Sequence, residues 1–273
     1  MAPELPARVR LSRSGLTATL EHDSITESGV VLTIGAAEQS HVEAQDPAFL
    51  LHDYLRRMRS VLTALEASRG QSARTALHLG AGAMTLPRWL LVTWPGIEQT
   101  VVDYEPELVA FVLEHLPMAP PPRSIVADAA EALSTSLRDA QFELLVIDLF
   151  NSAQAPPHLT EPAFFRQALA AVRSPGTLLM NFGDDADLTF ARRLVASVLA
   201  AADGCSSRML LSAPHEVMSG SAEGNLMLAV DSAGFADAEV RRIRAAGPHP
   251  GDALSGQELE QWLDDEDVCA TRT

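Results

Sequence analysis

A regular alternation of short apolar runs with helical segments begins at residue 75 and constrains the fold more than any other feature. The apolar runs lie at residues 75–80, 98–103, 123–127, 142–148 and 177–182. The segments with helical spacing lie at 85–93, 106–116, 129–138 and 161–172. Strands that alternate with helices in this way predict βαβ units, which build a parallel sheet with helices on both faces. We therefore expect an α/β protein.

The alternation stops after a predicted helix at residues 186–202. Two β-like runs follow, at 208–211 and 225–230, and a polar loop without helical spacing joins them. Strands joined without a crossover helix pair in antiparallel fashion, and such a pair fits at the edge of a sheet. Five alternating units and a terminal antiparallel pair predict a class I methyltransferase-like (Rossmann-like), mostly parallel sheet of seven strands.

The N-terminal part has a different pattern. Apolar and polar residues alternate up to about residue 43, and Gly29 and Gly35 interrupt them, which predicts a small β-hairpin domain. Helical spacing then starts near Asp46, a candidate N-cap, and stops at Gly70. The expected division is a β-hairpin domain over 1–45, a linking helix over 46–70, a catalytic domain over 71–235 and an acidic C-terminal extension over 236–273.

Composition restricts the partners. The formal net charge is −16, and all 20 basic residues are arginine. A strongly acidic surface repels nucleic acid and favours small cationic substrates, and a chain without lysine cannot use a Schiff-base or P-loop lysine. The two cysteines, the lack of a signal-like N-terminus and the shortness of the apolar runs predict a cytoplasmic protein with no membrane partner. The histidines show no metal-ligand spacing, so no metal is expected.

The loops that follow the first two predicted strands carry the first candidate site residues. Ligands of open α/β sheets bind beyond the carboxyl ends of the strands. The turn Gly80-Ala81-Gly82 lets the backbone approach a nucleotide, and Asp103, beside Tyr104, is placed to accept hydrogen bonds from ribose hydroxyls. A tight turn without a ligand and a helix-capping aspartate remain alternatives. Glu105 is favoured as the cap of the next helix.

The third and fourth loops each present one carboxylate. Asp128, next to Ala129, follows the third strand and could accept from an adenine amine or cap the helix after it. Asp148 ends the strongest apolar run, where a carboxylate needs hydrogen bonds or a cationic partner. Asp148 is therefore the candidate catalytic residue, with a structural role as the alternative.

The ordered set of motifs resembles the spermidine synthase family of aminopropyltransferases. The set comprises Gly-x-Gly at 80–82, Val-Asp-x-Glu-Pro at 102–106, Asp-Ala at 128–129, Val-Ile-Asp at 146–148, Leu-Thr-Glu-Pro-Ala-Phe-Phe at 159–165 and Ser-Pro-Gly at 174–176. Gln39 resembles the family's cofactor-contacting glutamine, and Leu51-His52-Asp53 its Tyr-His-Glu stretch. The likeness covers roughly residues 25 to 230, and it is strongest to a divergent actinobacterial, spermidine synthase-like branch.

The resemblance implies a transferase of polyamine biosynthesis that uses decarboxylated S-adenosylmethionine, or S-adenosylmethionine itself, as co-substrate. An aminopropyl group would pass to an amine and methylthioadenosine would leave, with Asp148 orienting the amine or taking up its proton. The residues implied to bind the cofactor are Gln39, His52, Gly80, Ala81, Gly82, Asp103, Tyr104, Asp128 and Ala129. The resemblance also implies a homo-oligomer, either a dimer or a tetramer.

Three expected substrate contacts differ from the family pattern. Ala83 stands where the family has an aspartate in the glycine turn, Asn151 where it has a second aspartate after the catalytic strand, and Leu51 where it has a tyrosine. Two other functions therefore stay open. One is a methyltransferase, or another alkyl-transfer or cyclising enzyme, that uses intact S-adenosylmethionine. The other is a non-catalytic nucleoside-binding homologue.

Overall fold

A computed structural model gives the structure, and it describes residues 5–70, 72–149 and 155–264. The strands are β1 (Ala7–Arg10), β2 (Thr17–His22), β3 (Gly29–Ile34), β4 (Ala37–Glu43), β5 (Thr75–Leu79), β6 (Glu98–Asp103), β7 (Arg123–Val126), β8 (Phe142–Asp148), β9 (Val172–Asp184), β10 (Met209–Pro214), β11 (Gly224–Asp231) and β12 (Gly251–Ser255). The helices are α1 (Asp53–Arg69), α2 (Thr85–Thr93), α3 (Leu108–His115), α4 (Ala129–Ser134), α5 (Pro162–Ala170), α6 (Thr189–Ala201), α7 (His215–Met218), α8 (Asp237–Ala246) and α9 (Gln257–Asp264).

The larger sheet has the strand order β12-β10-β11-β9-β8-β5-β6-β7. The neighbours from β7 to β9 are parallel, and β11, β10 and β12 continue the sheet in antiparallel fashion. The predicted methyltransferase-like fold is confirmed. The sheet has eight strands among the described residues instead of the predicted seven, because β12, in the expected C-terminal extension, pairs with β10.

Both faces of this sheet are covered, as the apolar composition of β8 requires. Leu144 and Val146 of β8 pack with α1, α2 and α8, while Leu145 and Ile147 pack with α4, α5 and α6 on the opposite face. Successive side chains of a strand point to opposite faces, so a strand covered on both sides is apolar throughout. The helices thus cover the two faces, and the cavities lie at the ends of the strands.

The N-terminal residues form a separate antiparallel sheet of four strands in the order β1-β2-β3-β4. Its inner face shares an apolar cluster with α3 and the start of α2, in which Leu20 and Leu32 pack near Val101 and Met84. This small sheet therefore lies against the carboxyl ends of β5 and β6. How the chain divides into domains stays a prediction.

Two local predictions were wrong. Helix α1 begins at Asp53 with His52 as its N-cap, whereas Asp46 accepts a hydrogen bond from the N–H of Ala48 in the preceding turn. The connection between β10 and β11 contains the four-residue helix α7, which is too short to leave a periodic pattern in the sequence. Gly70 ends α1 as predicted, with a left-handed φ of 68°. Within the described ranges, no helix has the length and apolar character needed to cross a membrane.

Candidate active site

A cavity of about 290 Å³ lies at the carboxyl ends of β5, β6, β8 and β9. The larger sheet contributes the Gly80–Gly82 turn, Asp103 and Asp148, and the N-terminal sheet contributes Glu38, Gln39 and Ser40 of β4. The cavity thus has walls from both sheets. It occupies the position where open α/β folds bind their ligands.

The glycine turn packs too closely for side chains. A Cβ added at Gly80, whose φ is +96°, would fall well inside van der Waals contact of the carbonyl oxygen of Asp148. A Cβ at Gly82 would collide in the same way with the hydroxyl of Ser40, which accepts a hydrogen bond of 3.0 Å from the N–H of Ala83. The two glycines therefore bring the turn into contact with β8 on one side and with β4 on the other.

Asp103 fixes the glycine turn through a hydrogen bond. Its carboxylate accepts hydrogen bonds from the N–H of Ala81 at 2.9 Å and from the N–H of Glu105 at 2.8 Å. Burial raises the pKa of Asp103 above its usual value, although both N–H groups act in the opposite direction. A carboxylate has about four lone-pair positions, so Asp103 keeps acceptor capacity for hydroxyl groups of a ligand in the cavity.

Glu105 does not cap a helix, which corrects the prediction, because α3 begins only after Glu107. Its carboxylate accepts hydrogen bonds from the N–H of Arg13 at 3.1 Å and of Ser14 at 2.7 Å. Both N–H groups belong to the turn between β1 and β2, and Ser14 lines the cavity. Glu105 thus fixes part of the N-terminal sheet as a cavity wall, a role that no local pattern reveals.

Replacing Glu105 should loosen this wall. In Glu105→Gln one of the two accepting oxygens becomes an amide nitrogen, and the loss of a hydrogen bond to a buried charged group costs about 1–3 kcal/mol. We expect the free energy of unfolding in urea to fall by that amount. The exposed Glu114 on α3 provides the control, since Glu114→Gln should leave the unfolding midpoint unchanged. Equal midpoints for the two variants would contradict this role of Glu105.

Asp148 lies between two hydrogen-bond donors. The hydroxyl of Tyr54 on α1 donates to its Oδ2 at 3.1 Å, and Nδ2 of Asn181 on β9 donates to its Oδ1 at 2.9 Å. The surrounding protein raises the pKa of Asp148 by burial, and the two donors lower it. The result is a carboxylate that keeps part of its surface toward the cavity and a raised proton affinity.

Sequence reasoning missed Tyr54 and Asn181. Tyr54 fits the apolar stripe of α1, and its hydroxyl is identifiable as a functional group only when α1 is seen beside β8. Asn181 offered a clearer signal, because it is an amide inside the apolar run of β9. It pairs in register with Asp148 on the neighbouring strand, so the two side chains share one level of the sheet.

Tyr54→Phe should shift the pH dependence of any reaction that needs ionised Asp148. The Tyr54 hydroxyl stabilises the carboxylate, so its removal raises the pKa of Asp148 further, and the acidic limb of kcat/KM should move to higher pH. The measurement is kcat/KM against pH. Glu114→Gln is the control, because Glu114 is exposed on α3 and lies outside the cavity lining. An unshifted limb in Tyr54→Phe would contradict the assignment.

The structure brings seven of the predicted site residues to one cavity and leaves five outside its lining. The seven are Gln39, His52, Gly80, Ala81, Gly82, Asp103 and Asp148. The five are Leu51, Ala83, Tyr104, Asp128 and Ala129. Asn151 lies outside the described residues. The roles predicted for all of them stay predictions.

Asp128 and Ala83 have other partners that account for their positions. Asp128 is the N-cap of α4, where it accepts from two backbone N–H groups, and its second oxygen lies 3.0 Å from Nε2 of His158. The capping alternative of the sequence analysis is therefore the contact that the structure contains. Ala83 is completely buried in the apolar cluster that the N-terminal sheet shares with α3.

Comparisons with known proteins find polyamine aminopropyltransferases, spermidine synthases and methyltransferases. No family profile matches the sequence. Polyamine aminopropyltransferases of Neisseria meningitidis are 26% identical over 197 residues, which cover 69% of this chain and 71% of theirs. A probable spermidine synthase from Corynebacterium glutamicum superposes with a TM-score of 0.80 at 23% identity, covering 97% of this chain and 94% of that one. A spermidine synthase in complex with the transition-state analogue AdoDATO gives 0.54 at 12% identity, covering 89% and 79%.

The structure thus has a class I methyltransferase-like fold with an acidic cavity at the carboxyl ends of its parallel strands. In sequence, the chain is similar to polyamine aminopropyltransferases, and in fold it is similar to spermidine synthases.

Proposed function

We propose that this protein transfers an aminopropyl group from decarboxylated S-adenosylmethionine to an amine and releases methylthioadenosine. The observation that carries the proposal is the Asp148 carboxylate, held by Tyr54 and Asn181 beside the glycine turn. The names of the relatives support it, and the spermidine synthase structure in complex with the transition-state analogue AdoDATO supports an adenosyl-type donor.

The residues present fit such a donor. The glycine turn leaves room for the nucleoside, and the acceptor capacity of Asp103 suits two ribose hydroxyls. The cavity lining contains Glu38, Asp103, Glu105 and Asp148, and no arginine among the described residues. An acidic lining favours a cationic sulfonium and a cationic amine. We assign Gln39 and His52 to the periphery of the donor, and Tyr104, Asp128 and Ala129 to its adenine side.

The same lining favours the decarboxylated donor over the intact one. Intact S-adenosylmethionine carries a carboxylate, which would lie among four acidic side chains without a described cation to pair with it. Burying an unpaired charge or placing it beside like charges is costly. The methyltransferase alternative therefore lacks the cationic contact that its donor needs.

Asp148 performs the proton chemistry in the proposed reaction. A protonated amine has no free electron pair, so it must give up a proton before it attacks. The amine nitrogen forms a bond to the aminopropyl carbon, the bond from that carbon to sulfur breaks, and its electron pair neutralises the sulfonium as a thioether. Asp148 takes the proton, and burial supports this because it raises the proton affinity of the carboxylate. The hydrogen bonds from Tyr54 and Asn181 hold the accepting oxygens in place.

The test is a donor comparison with the purified protein. Decarboxylated and intact S-adenosylmethionine are each incubated with a panel of amines, and the products are identified by mass spectrometry. We expect methylthioadenosine and an aminopropylated amine from the decarboxylated donor. S-adenosylhomocysteine and a methylated product from the intact donor would replace the proposal by a methyltransferase. Nucleoside binding without turnover would instead identify a non-catalytic homologue.

We further propose that the protein works in the cytoplasm as a homo-oligomer, a dimer or a tetramer, without nucleic-acid or membrane partners. The acidic net charge of −16 supports the absence of nucleic acid. Light scattering after size-exclusion chromatography measures the oligomeric state, and a monomeric mass at micromolar concentration would contradict it.

A further inference from the structure

Arg88 on α2 carries a buried positive charge that the proposed reaction does not use. The residue is 7% exposed, and burial lowers the pKa of its guanidinium to about 10, so it stays a cation at neutral pH. Backbone carbonyl oxygens, and no carboxylate of the described residues, accept its hydrogen bonds. A buried charge without a counter-ion is costly, so these carbonyl contacts must satisfy it.

The three contacts of Arg88 join the glycine turn to the end of α3. Its Nε donates to the carbonyl oxygen of Ala83 at 3.2 Å. Its Nη2 donates to the carbonyl of Leu116 at 2.5 Å, and its Nη1 to that of Pro117 at 3.1 Å. Leu116 and Pro117 follow α3, and the last carbonyl groups of a helix carry a partial negative charge that stabilises a cation. Arg88 therefore links two segments that flank the cavity.

The contact with Ala83 lies at a strained point of the chain. The carbonyl of Ala83 belongs to the peptide bond that leads into Met84, the N-cap of α2, which has a left-handed φ of 58°. This conformation is unfavourable for a residue other than glycine, and it persists only where the surrounding structure holds it. Arg88 contributes to holding it, because its Nε fixes the orientation of that peptide group.

The N–H groups of the glycine turn are fixed from other directions. Gly80 donates to a carbonyl of β6 at 2.9 Å, and Ala81 and Ala83 donate to the side chains described above. The N–H of Gly82, a residue of the cavity lining, has no hydrogen-bond partner within the described part of the chain. A ligand can therefore accept from it. The direction of this N–H depends on the conformation of the turn, which Arg88 fixes on the side of α2.

We propose that Arg88 is a positioning residue for the donor and keeps the glycine turn in the conformation that binds the nucleoside. This inference rests on the proposed use of an adenosyl donor. Arg88 lies outside the cavity lining, so it acts through Ala83 and does not touch the donor. A guanidinium suits this task, because its rigid fork of N–H groups meets several carbonyls at once. A lysine ammonium on a flexible stem does not fix them in the same geometry.

The test separates nucleoside affinity from chemistry in Arg88→Met. We expect the Kd of methylthioadenosine, measured by calorimetry, and the KM of the decarboxylated donor to rise about tenfold, the change that one hydrogen bond to a charged group can provide. At saturating donor, kcat should stay within about threefold of wild type, because Arg88 has no contact with Asp148, Tyr54 or Asn181. A purely structural role would instead lower kcat and the binding stoichiometry and leave Kd and KM unchanged.

Two further variants make the comparison specific. Arg69→Met is the matched control, since Arg69 is also a partly buried arginine, bound to Asp231 and Glu239, but lies at the C-terminal end of α1 and outside the lining of the candidate active site. It should lose stability and keep the Kd of methylthioadenosine within about twofold. Arg88→Lys retains the charge and should raise Kd less than Arg88→Met, by about threefold. If Arg88→Met does not fold, Arg88→Lys provides the test.

The outcomes distinguish this inference from the proposed function. Wild-type values of Kd and KM in both Arg88 variants would overturn the positioning role and leave aminopropyl transfer standing. A rise of Kd in Arg69→Met equal to that in Arg88→Met would also overturn it, because loss of any buried arginine would then weaken the site. Methylthioadenosine binding without turnover in wild type would overturn aminopropyl transfer, while the Kd values would still decide the role of Arg88. A wild type that binds no nucleoside would overturn both.

Discussion

Asp148→Asn should lower kcat/KM for aminopropyl transfer by about a hundredfold to ten-thousandfold, the range that positioned proton acceptors contribute. The substitution preserves shape and should preserve the fold. The carbonyl oxygen of the introduced amide can still accept from the Tyr54 hydroxyl. Oδ1 of Asn181, which has no hydrogen-bond partner among the described residues, can accept from the introduced NH₂ group after rotation of the Asn181 amide. The variant therefore loses only the negative charge and the proton affinity of the Asp148 carboxylate.

Two measurements make this prediction specific. Methylthioadenosine release measures turnover. Calorimetric titration with methylthioadenosine measures the affinity of the nucleoside site, which should stay within about twofold of wild type because the Asp148 side chain is not expected to contact the nucleoside. Asp139→Asn, at an exposed turn residue before β8, should change neither quantity. Retained turnover in Asp148→Asn would show that another group takes the proton. Collapse of both affinity and folding would support the structural alternative for Asp148.

Gly80→Ala should destabilise the protein and remove nucleoside binding. The added methyl group would collide with the carbonyl oxygen of Asp148, which is backbone and cannot move without displacing β8. Overpacking costs about 1–3 kcal/mol, and a left-handed conformation costs a non-glycine residue about 1–2 kcal/mol more. We expect a loss of about 2–5 kcal/mol in the free energy of unfolding in urea, together with loss of methylthioadenosine binding by calorimetry.

Gly96 offers a matched control for this variant. Its φ of +92° is close to the +96° of Gly80, and a Cβ added there would meet no atom within 4 Å. Gly96→Ala therefore measures the cost of backbone strain, and the difference between the two variants measures the contact with Asp148. Equal losses of stability, or intact nucleoside binding in Gly80→Ala, would contradict the close packing of the turn against β8.

The parallel core could be predicted because its signals are local. The predicted segments 85–93, 98–103 and 142–148 coincide with α2, β6 and β8, since apolar period and length distinguish helices from buried strands. Strand β12 could not be predicted in the same way. Gly251–Ser255 contains two apolar residues, and it becomes a strand by pairing with β10, about forty residues earlier in the chain. Such pairing depends on tertiary context.

A residue of the candidate site could be predicted when its side chain differs clearly from the neighbouring residues in the sequence. Asp103 and Asp148 each end an apolar run, so the carboxylates stand out. Tyr54 does not, because an aromatic ring on a helix stripe is equally suited to the core. For Asp128, the sequence cannot distinguish a helix cap from a ligand contact, because both roles use an aspartate at the end of a strand.

The division of the cavity between two sheets affects how such a protein can change over evolutionary time. The glycine-turn wall lies at the carboxyl ends of β5 and β6, where Gly80 packs against the backbone of Asp148 and leaves no room for a Cβ. The facing wall comes from β4 of the four-stranded sheet, where the Glu38 side chain is half exposed and less constrained by packing. For the proposed transfer, substitutions in the small sheet should therefore change which amine is accepted while the glycine turn keeps the nucleoside.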